Sequence, residues 1–282
     1  MLKVAAKIAD LWLTRGRRLS VEAKAARCAV ADLTPAVVIT GGSRGIGAAI
    51  ANEFARRGRA VVIVARHLPE RPLPAGTIAI TSDVTAADAF EVISASLAAE
   101  RLYLDVLVNS AGVGLAGLFT EHESKDIDAL LSLNVAALTR LTRRALPGML
   151  ARRRGGVLNV SSLGGYAPGP HQAAYYASKG YVLSLTEAIA AENAGSGVRF
   201  TVLAPGPVET KFHAAMGADD ALYRRLLPAL SPEHAARAVY RGFMIGQRVV
   251  APGVVNRLAL VLLKLLPHPL SVPIVGWLLR KS

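Results

Sequence analysis

The chain is short of several things, and each shortage narrows what it is. One cysteine, Cys28, among 282 residues leaves no intrachain disulfide framework. Aromatic residues make up 5% against 52% hydrophobic residues overall. That balance suits Ala/Leu-rich helices packed on a buried parallel sheet. Neither low-complexity tracts nor solenoid-type repeats are visible. Apolar runs all fall short of the roughly 18 uncharged residues a membrane-spanning helix needs. No metal site is expected. The length fits one α/β domain with modest additions.

Acid is the other shortage. Thirty-three Lys/Arg stand against 20 Asp/Glu, a net charge of +13. Residues 1–34 carry +4, and residues 248–282 carry five Lys/Arg and no acid. A basic balance by itself would suggest nucleic acid. Cations gathered in two apolar end segments point instead to an anionic membrane surface, and no nucleic-acid partner is expected.

What is present is organised around Thr40-Gly41-Gly42-Ser43-Arg44-Gly45-Ile46-Gly47. The apolar run 36–39 precedes it, and a segment of helical spacing from Ala48 follows. Buried strand, glycine turn and helix start are what a dinucleotide-binding loop requires. Gly41 permits the sharp turn, Gly45 lets backbone approach a pyrophosphate, and Gly47 lets helix pack on strand. Further strands are expected at 61–64, 78–80, 104–108, 156–160, 198–203 and 248–251. Helices are expected at 86–100, 126–150 and 175–193, with another starting at Ser231-Pro232-Glu233. Such βα repetition predicts an α/β fold, a doubly wound Rossmann-type parallel sheet. The expected divisions are an amphipathic basic extension at 1–34, a dinucleotide-binding domain at 35–253 and an apolar basic tail at 254–282.

In such a sheet the reactive residues belong at the carboxyl ends of the strands. Asn109-Ser110-Ala111-Gly112, Ser161-Ser162 and Pro205-Gly206-Pro207-Val208-Glu209-Thr210 lie there. Tyr175 and Lys179, four apart, share a helical face. A nearby ammonium favours phenolate, so Lys179 is expected to lower the tyrosine pKa toward a working general acid/base.

These motifs, in this order and spacing, resemble the short-chain dehydrogenase/reductase family over about residues 36 to 252. The resemblance implies a catalytic set of Asn134, Ser162, Tyr175 and Lys179. By it, Ser162 orients the substrate carbonyl and Tyr175 exchanges its proton. Lys179 holds the nicotinamide ribose, and Asn134 supports a water-linked proton relay. It further implies cofactor contacts from Gly41, Ser43, Arg44, Gly45, Ile46 and Gly47, from Asn109, Ala111 and Gly112, and from Pro205, Gly206 and Val208. Asp83 with Val84 would meet the adenine, and Thr210 the carboxamide. A homo-oligomer is expected. Ser110 departs mildly from the family's commoner Asn-Asn-Ala-Gly.

Cofactor choice follows from charge. An NAD enzyme carries Asp or Glu after the second strand, whereas this chain has Ala65-Arg66 there and Arg44 in the glycine loop. Two guanidinium groups suit a 2′-phosphate, so NADP(H) is expected over NAD(H). The loops at 113–119, 163–166 and 212–230 are small or apolar, which suits an apolar carbonyl or alcohol substrate. His171 is a further polar candidate there.

Residues 1–15 place Val4, Ile8, Leu11 and Trp12 on one helical face. No uninterrupted apolar stretch precedes Arg15-Gly16-Arg17-Arg18, which argues against a secretory signal, while an Arg-rich organellar presequence fits the pattern. Both tryptophans, Trp12 and Trp277, lie in the end segments. Two readings of those segments stand: helices at a membrane interface, or cover for the core or a partner subunit. The tail is similar to that of lipid-active 3-oxoacyl reductase-like members of the family. The expected activity is NADPH-dependent interconversion of a carbonyl and an alcohol, in the cytoplasm or at a membrane surface. The rival readings are a dinucleotide-sensing regulator and a membrane-associated interaction protein.

Overall fold

The computed structural model describes residues 19–67 and 72–280. The amphipathic pattern at 1–15 lies outside them. Seven strands form one parallel sheet: β1 (Thr34–Thr40), β2 (Ala60–Ala65), β3 (Thr77–Thr81), β4 (Leu102–Asn109), β5 (Gly156–Val160), β6 (Arg199–Leu203) and β7 (Val249–Val250). Their spatial order is β3-β2-β1-β4-β5-β6-β7, so winding reverses between β1 and β4. Thr40 pairs with Asn109 at that reversal. This is the doubly wound sheet expected, with its ligand crevice at the carboxyl ends of β1 and β4.

Alternation along the strands separates two apolar layers. Ala36, Val38, Val62, Val64, Leu107 and Val157 face α3 (Ala89–Ala99), α5 (Leu138–Arg152) and α6 (Ala173–Glu192) through Ile93, Leu141, Met149 and Ala190. Val37, Ile39, Val61, Ile63, Val108 and Leu158 face α2 (Gly45–Arg56) and α9 (Pro232–Met244) through Ile50, Phe54, Val239 and Phe243. Ser231 caps α9 by accepting from the His234 amide at 3.1 Å, as its sequence signature predicted. A short α1 (Val21–Cys28) is tied to the amino end of the sheet by Arg27, which donates to the Arg152 carbonyl at 2.8 Å.

One expectation changes. The helix expected over 126–150 is α4 (Ser124–Leu131), a widened π-type stretch at Ser132–Ala137, and then α5. Periodicity could not reveal that widening, because the apolar spacing resumes on its far side. It carries Asn134. Of the two readings of the segment beyond Gly253, cover for the core describes one side of it. It forms α10 (Val254–Leu265) and α11 (His268–Leu279), with Asn256, Ser271, Val275 and Leu279 buried against the core. Between α6 and α9, two short helices shape the remaining loop: α7 (Phe212–Ala215) and α8 (Leu222–Leu226).

Candidate active site

The glycine loop leaves β1 at Gly41, whose amide donates to the Val64 carbonyl at 2.8 Å. Gly41 and Gly45 sit at φ +67° and +58°, where a side chain would strain the backbone. A Cβ on Gly47 would stand 2.3 Å from the Gly41 carbonyl oxygen. The first turn of α2 begins after the exposed Arg44, which supplies no side-chain cap, so its amides stay open toward the crevice. Ser43 and Ile46 complete the loop.

Thr40, which the sequence marked only as the residue before the glycines, pins the neighbouring loop. Its Oγ1 accepts from the amides of Ser110 and Ala111, each at 3.2 Å. Thr210 closes the far side, its methyl 3.4 Å from where a Gly45 Cβ would be. Leu163 donates to the Pro205 carbonyl at 2.9 Å. Val208 is buried and bridges to Leu230. Three loops from distant parts of the chain thus border one crevice.

Arg66 is exposed at the end of β2. The Asp83 carboxyl is held below its ordinary value by hydrogen bonds from the Thr85 amide (2.8 Å) and hydroxyl (2.7 Å), with a smaller pull from Arg66. Val84 turns into the core.

Tyr175 and Lys179 occupy the first two turns of α6 and are both buried. Ser162, just past β5, hydrogen-bonds the Tyr175 hydroxyl, and its Oγ accepts from the Gly164 amide at 3.1 Å. Lys179 Nζ donates to the Val160 carbonyl at 3.1 Å and lies 5.7 Å from the Tyr175 ring centroid. A Cβ on Gly112 would come within 3.2 Å of Asn134 Oδ1 and 3.5 Å of Lys179 Nζ. The four expected catalytic residues therefore gather at the ends of β4 and β5.

The electrostatics differ from expectation. Burial pushes the Tyr175 phenol above its ordinary value, and only the Ser162 hydrogen bond pulls it back. The Lys179 ammonium donates to the Val160 carbonyl and lies over the tyrosine ring, and the net shift is upward rather than the expected lowering. Lys179 itself is lowered to about 8 by burial. Desolvation, not the cation, dominates this protein-only site.

Two asparagines among the expected site residues are fixed by internal hydrogen bonds. Asn109 is buried, and its amide donates to Asn159 Oδ1 (2.8 Å) and Thr142 Oγ1 (3.1 Å). Asn159 continues this ladder to Thr186 at 2.9 Å. The Asn109 side chain is thus turned inward beneath the crevice. Asn134 spends both amide hydrogens, on the Val113 carbonyl (2.8 Å) and Ser178 Oγ (3.1 Å), and accepts from the Val113 amide (3.0 Å). Its side chain clamps the 112–113 turn and keeps one acceptor lone pair for a relay.

On the substrate side, Phe212 stands 5.6 Å from Tyr175 between ring centroids. Leu130, Tyr175, Met216 and Ala218 form one buried apolar cluster. His213 and Tyr223 share a 2.7 Å hydrogen bond, and burial lowers the histidine to about 4, so it is neutral at pH 7. Sequence reading missed this pair, since nothing in the spacing joins positions 213 and 223. His171 adopts φ +66°, and its carbonyl accepts from the Gly117 amide at 2.8 Å.

A parallel sheet with a glycine-turn crevice and a Ser–Tyr–Lys constellation whose tyrosine and lysine are buried defines a Rossmann-type oxidoreductase. The family model for short chain dehydrogenases matches residues 35–221. The chain is 35% identical over 207 residues to a short-chain type dehydrogenase/reductase of Sinorhizobium fredii, covering 71% of this chain and 82% of that one. It is 32% identical over 183 residues to the 3-oxoacyl-[acyl-carrier-protein] reductase FabG of Staphylococcus aureus, covering 62% and 74%. A short-chain dehydrogenase from Sphingobium yanoikuyae in complex with NADPH superposes with a TM-score of 0.68 at 28% identity, covering 78% and 88%. The chain belongs to the short-chain dehydrogenase/reductase family and is an oxidoreductase of that class.

Proposed function

We propose that this enzyme interconverts a carbonyl and an alcohol on an apolar substrate, using NADP(H) in preference to NAD(H). The observation that carries the reading is the buried Tyr175 hydroxyl, hydrogen-bonded by Ser162 one α6 turn from Lys179. A pure nucleotide sensor has no use for that arrangement.

The residues fit the cofactor. The Gly41–Gly47 cradle is one that added Cβ atoms would fill, since at Gly47 and Gly41 they would meet backbone at 2.3 and 2.8 Å. Open amides at the start of α2 suit a pyrophosphate. Arg44 and Arg66 are exposed and offer bidentate donors to a 2′-phosphate, with no acid at the end of β2. When bound, the nicotinamide supplies or accepts the hydride at the substrate carbon. Ser162 holds the substrate oxygen. In reduction Tyr175 donates its phenolic proton to that oxygen, and in oxidation it takes the proton back. Lys179, with a pKa near 8, is poised to hold a ribose hydroxyl and to return a proton toward Tyr175. Asn134 keeps the Gly112–Val113 turn in place beside both.

Phe212, Met216 and Leu130 beside Tyr175 support an apolar substrate, of acyl or sterol-like character. The reading extends to a homo-oligomeric, cytoplasmic enzyme with peripheral membrane contact through its terminal segments. It is tested by following NADPH consumption with a panel of acyl and sterol-like ketones, and NADP+ reduction with the matching alcohols. Folded, cofactor-binding protein that turns over none of them would refute it.

A further inference from the structure

Exposed large apolar side chains are concentrated in one place. Of the 17 among the described residues, nine lie on α10 and α11. On α10 they are Val254, Val255, Leu258, Val261, Leu262 and Leu265, most of them on one helical stripe. On α11, Leu270, Ile274 and Trp277 repeat the pattern, while Ser271, Val275 and Leu279 on the opposite side are buried. Each helix is therefore amphipathic twice over, packed on the core through one face and apolar toward solvent on the other. Leu258 and Leu265 are 65% and 77% exposed, which a solvated surface does not require.

The surroundings say what covers this face. Arg257, Lys264 and Arg280 are exposed along it, and residues 248–282 contain no acid. Two copies meeting through the same face would set these cations against each other. Anionic headgroups would be attracted. No helix among the described residues is long and apolar enough to cross a membrane, so contact must be in plane.

Beside α11 lies a cavity of about 290 Å³, whose lining includes the apolar Ala116, Leu118, Ala218 and Leu279 and one charge of each sign, Arg280 and Glu121. Ala218 and Ala116 also pack in the apolar cluster around Tyr175. Leu118 and its neighbour Phe119 are exposed, as is Leu226 on α8, the helix whose Leu222 amide donates to the Arg280 carbonyl at 3.2 Å. The apolar surface thus continues from the tail helices to the rim of the cavity.

We propose that the outward face of α10 and α11 rests in plane on an anionic bilayer, with the cavity beside α11 opening onto the lipid as the entrance for a bilayer-borne apolar carbonyl compound. Calling the cavity a substrate entrance rests on the oxidoreductase reading. The docking geometry rests on the peripheral contact proposed above for the terminal segments, not on the chemistry.

The test uses the full chain. Cys28 is the one cysteine, so Cys28→Ser leaves a background for single labels. An environment-sensitive fluorophore is placed at Leu258→Cys on the docking face, at Leu118→Cys on the rim, and at Ile245→Cys, an exposed site at the amino end of the sheet. Vesicles are phosphatidylcholine alone, or phosphatidylcholine and phosphatidylglycerol in equal parts. The expected result is flotation with the mixed vesicles only, reversed by salt, with a blue shift at 258 and 118 and none at 245. Leu258→Glu with Leu262→Glu should abolish flotation and leave NADPH binding unchanged. No flotation of the parent chain, or flotation indifferent to phosphatidylglycerol, overturns the proposal. A shift at 258 without one at 118 overturns the entrance. Loss of oligomer mass in the double Glu variant assigns the face to a second copy and overturns it too. Activity is not read, so failure of the oxidoreductase reading would show separately in the ketone screen.

Discussion

Asn256, on the first turn of α10, fills the space over Gly206, where an added Cβ would stand 2.2 Å from its Oδ1. Asn256 is buried, and its amide donates to the Pro252 carbonyl at 2.7 Å. The C-terminal helices are therefore keyed into the loop that follows β6. Deleting residues 254–282 would be harmless to the cofactor site if they were a free tail. The packing predicts that deletion lowers the melting temperature and weakens NADPH binding. Asn256→Ala should reproduce part of this, costing about 1–3 kcal/mol by orphaning the Pro252 carbonyl and opening a void over Gly206. Thermal melts and NADPH fluorescence titrations check both variants.

Cofactor choice should follow the two exposed arginines. Arg66→Asp should weaken NADPH by about 1.5–3 kcal/mol and leave NADH little changed, since it removes a charge-assisted partner of the 2′-phosphate. Arg44→Ala should act in the same sense, less strongly. Parallel titrations with both cofactors decide it, and equal affinity of the parent chain for the two would sink the assignment.

Tyr175→Phe keeps the ring against Phe212 and removes the proton donor. Turnover should fall roughly a hundred- to ten-thousand-fold while NADPH affinity survives. Tyr176 is the control. Its ring packs on Gly164 and Gly169, where added Cβ atoms would lie 2.8 and 2.3 Å from it. Tyr176→Phe preserves that packing and should be nearly silent. Inactivation by Tyr176→Phe but not by Tyr175→Phe would overturn the mechanism.

Lys179 should cost the cofactor-free protein stability. It ionises near pH 8 folded and near 10.5 as an ordinary lysine. Below pH 8 both states hold the proton and the fold bears the full desolvation penalty. Between 8 and 10.5 only the unfolded chain holds it, so stability climbs with pH. Lys179→Met should therefore stabilise the free protein at pH 7 by up to about 3 kcal/mol, an advantage that shrinks as pH rises toward 10.5. The same change should impair both turnover and cofactor affinity. Denaturant melts across that pH range are the measurement.

Gly47→Ala tests the cradle. Its Cβ would lie 2.3 Å from the Gly41 carbonyl, a backbone atom that cannot yield without moving the loop. Cofactor binding should be lost before the fold is, because the layers around Phe54 and Val239 lie elsewhere. Circular dichroism with NADPH titration separates the two effects.

The strands, the doubly wound class of the sheet and the crevice loops were legible from the chain because their signals are local. A buried parallel strand announces itself as an apolar run, a phosphate loop as glycines between strand and helix, and Tyr175 with Lys179 as one helical face. The π-type widening at Ser132–Ala137 left no such mark. The partners of Asn109 and Asn134 are set by long-range packing, which brings Asn159 and Thr142 to the first and Val113 and Ser178 to the second. The tyrosine's environment could not be read either, because desolvation depends on what the rest of the fold places around the phenol. For the same reason the tail divided. Its apolar, basic character was plain in the residues, but amphipathic spacing alone does not say which face is taken by the core. Only the packing of Asn256 on Gly206 and of Gly276 on Pro170 shows which side each helix gives to the core and which it leaves outward.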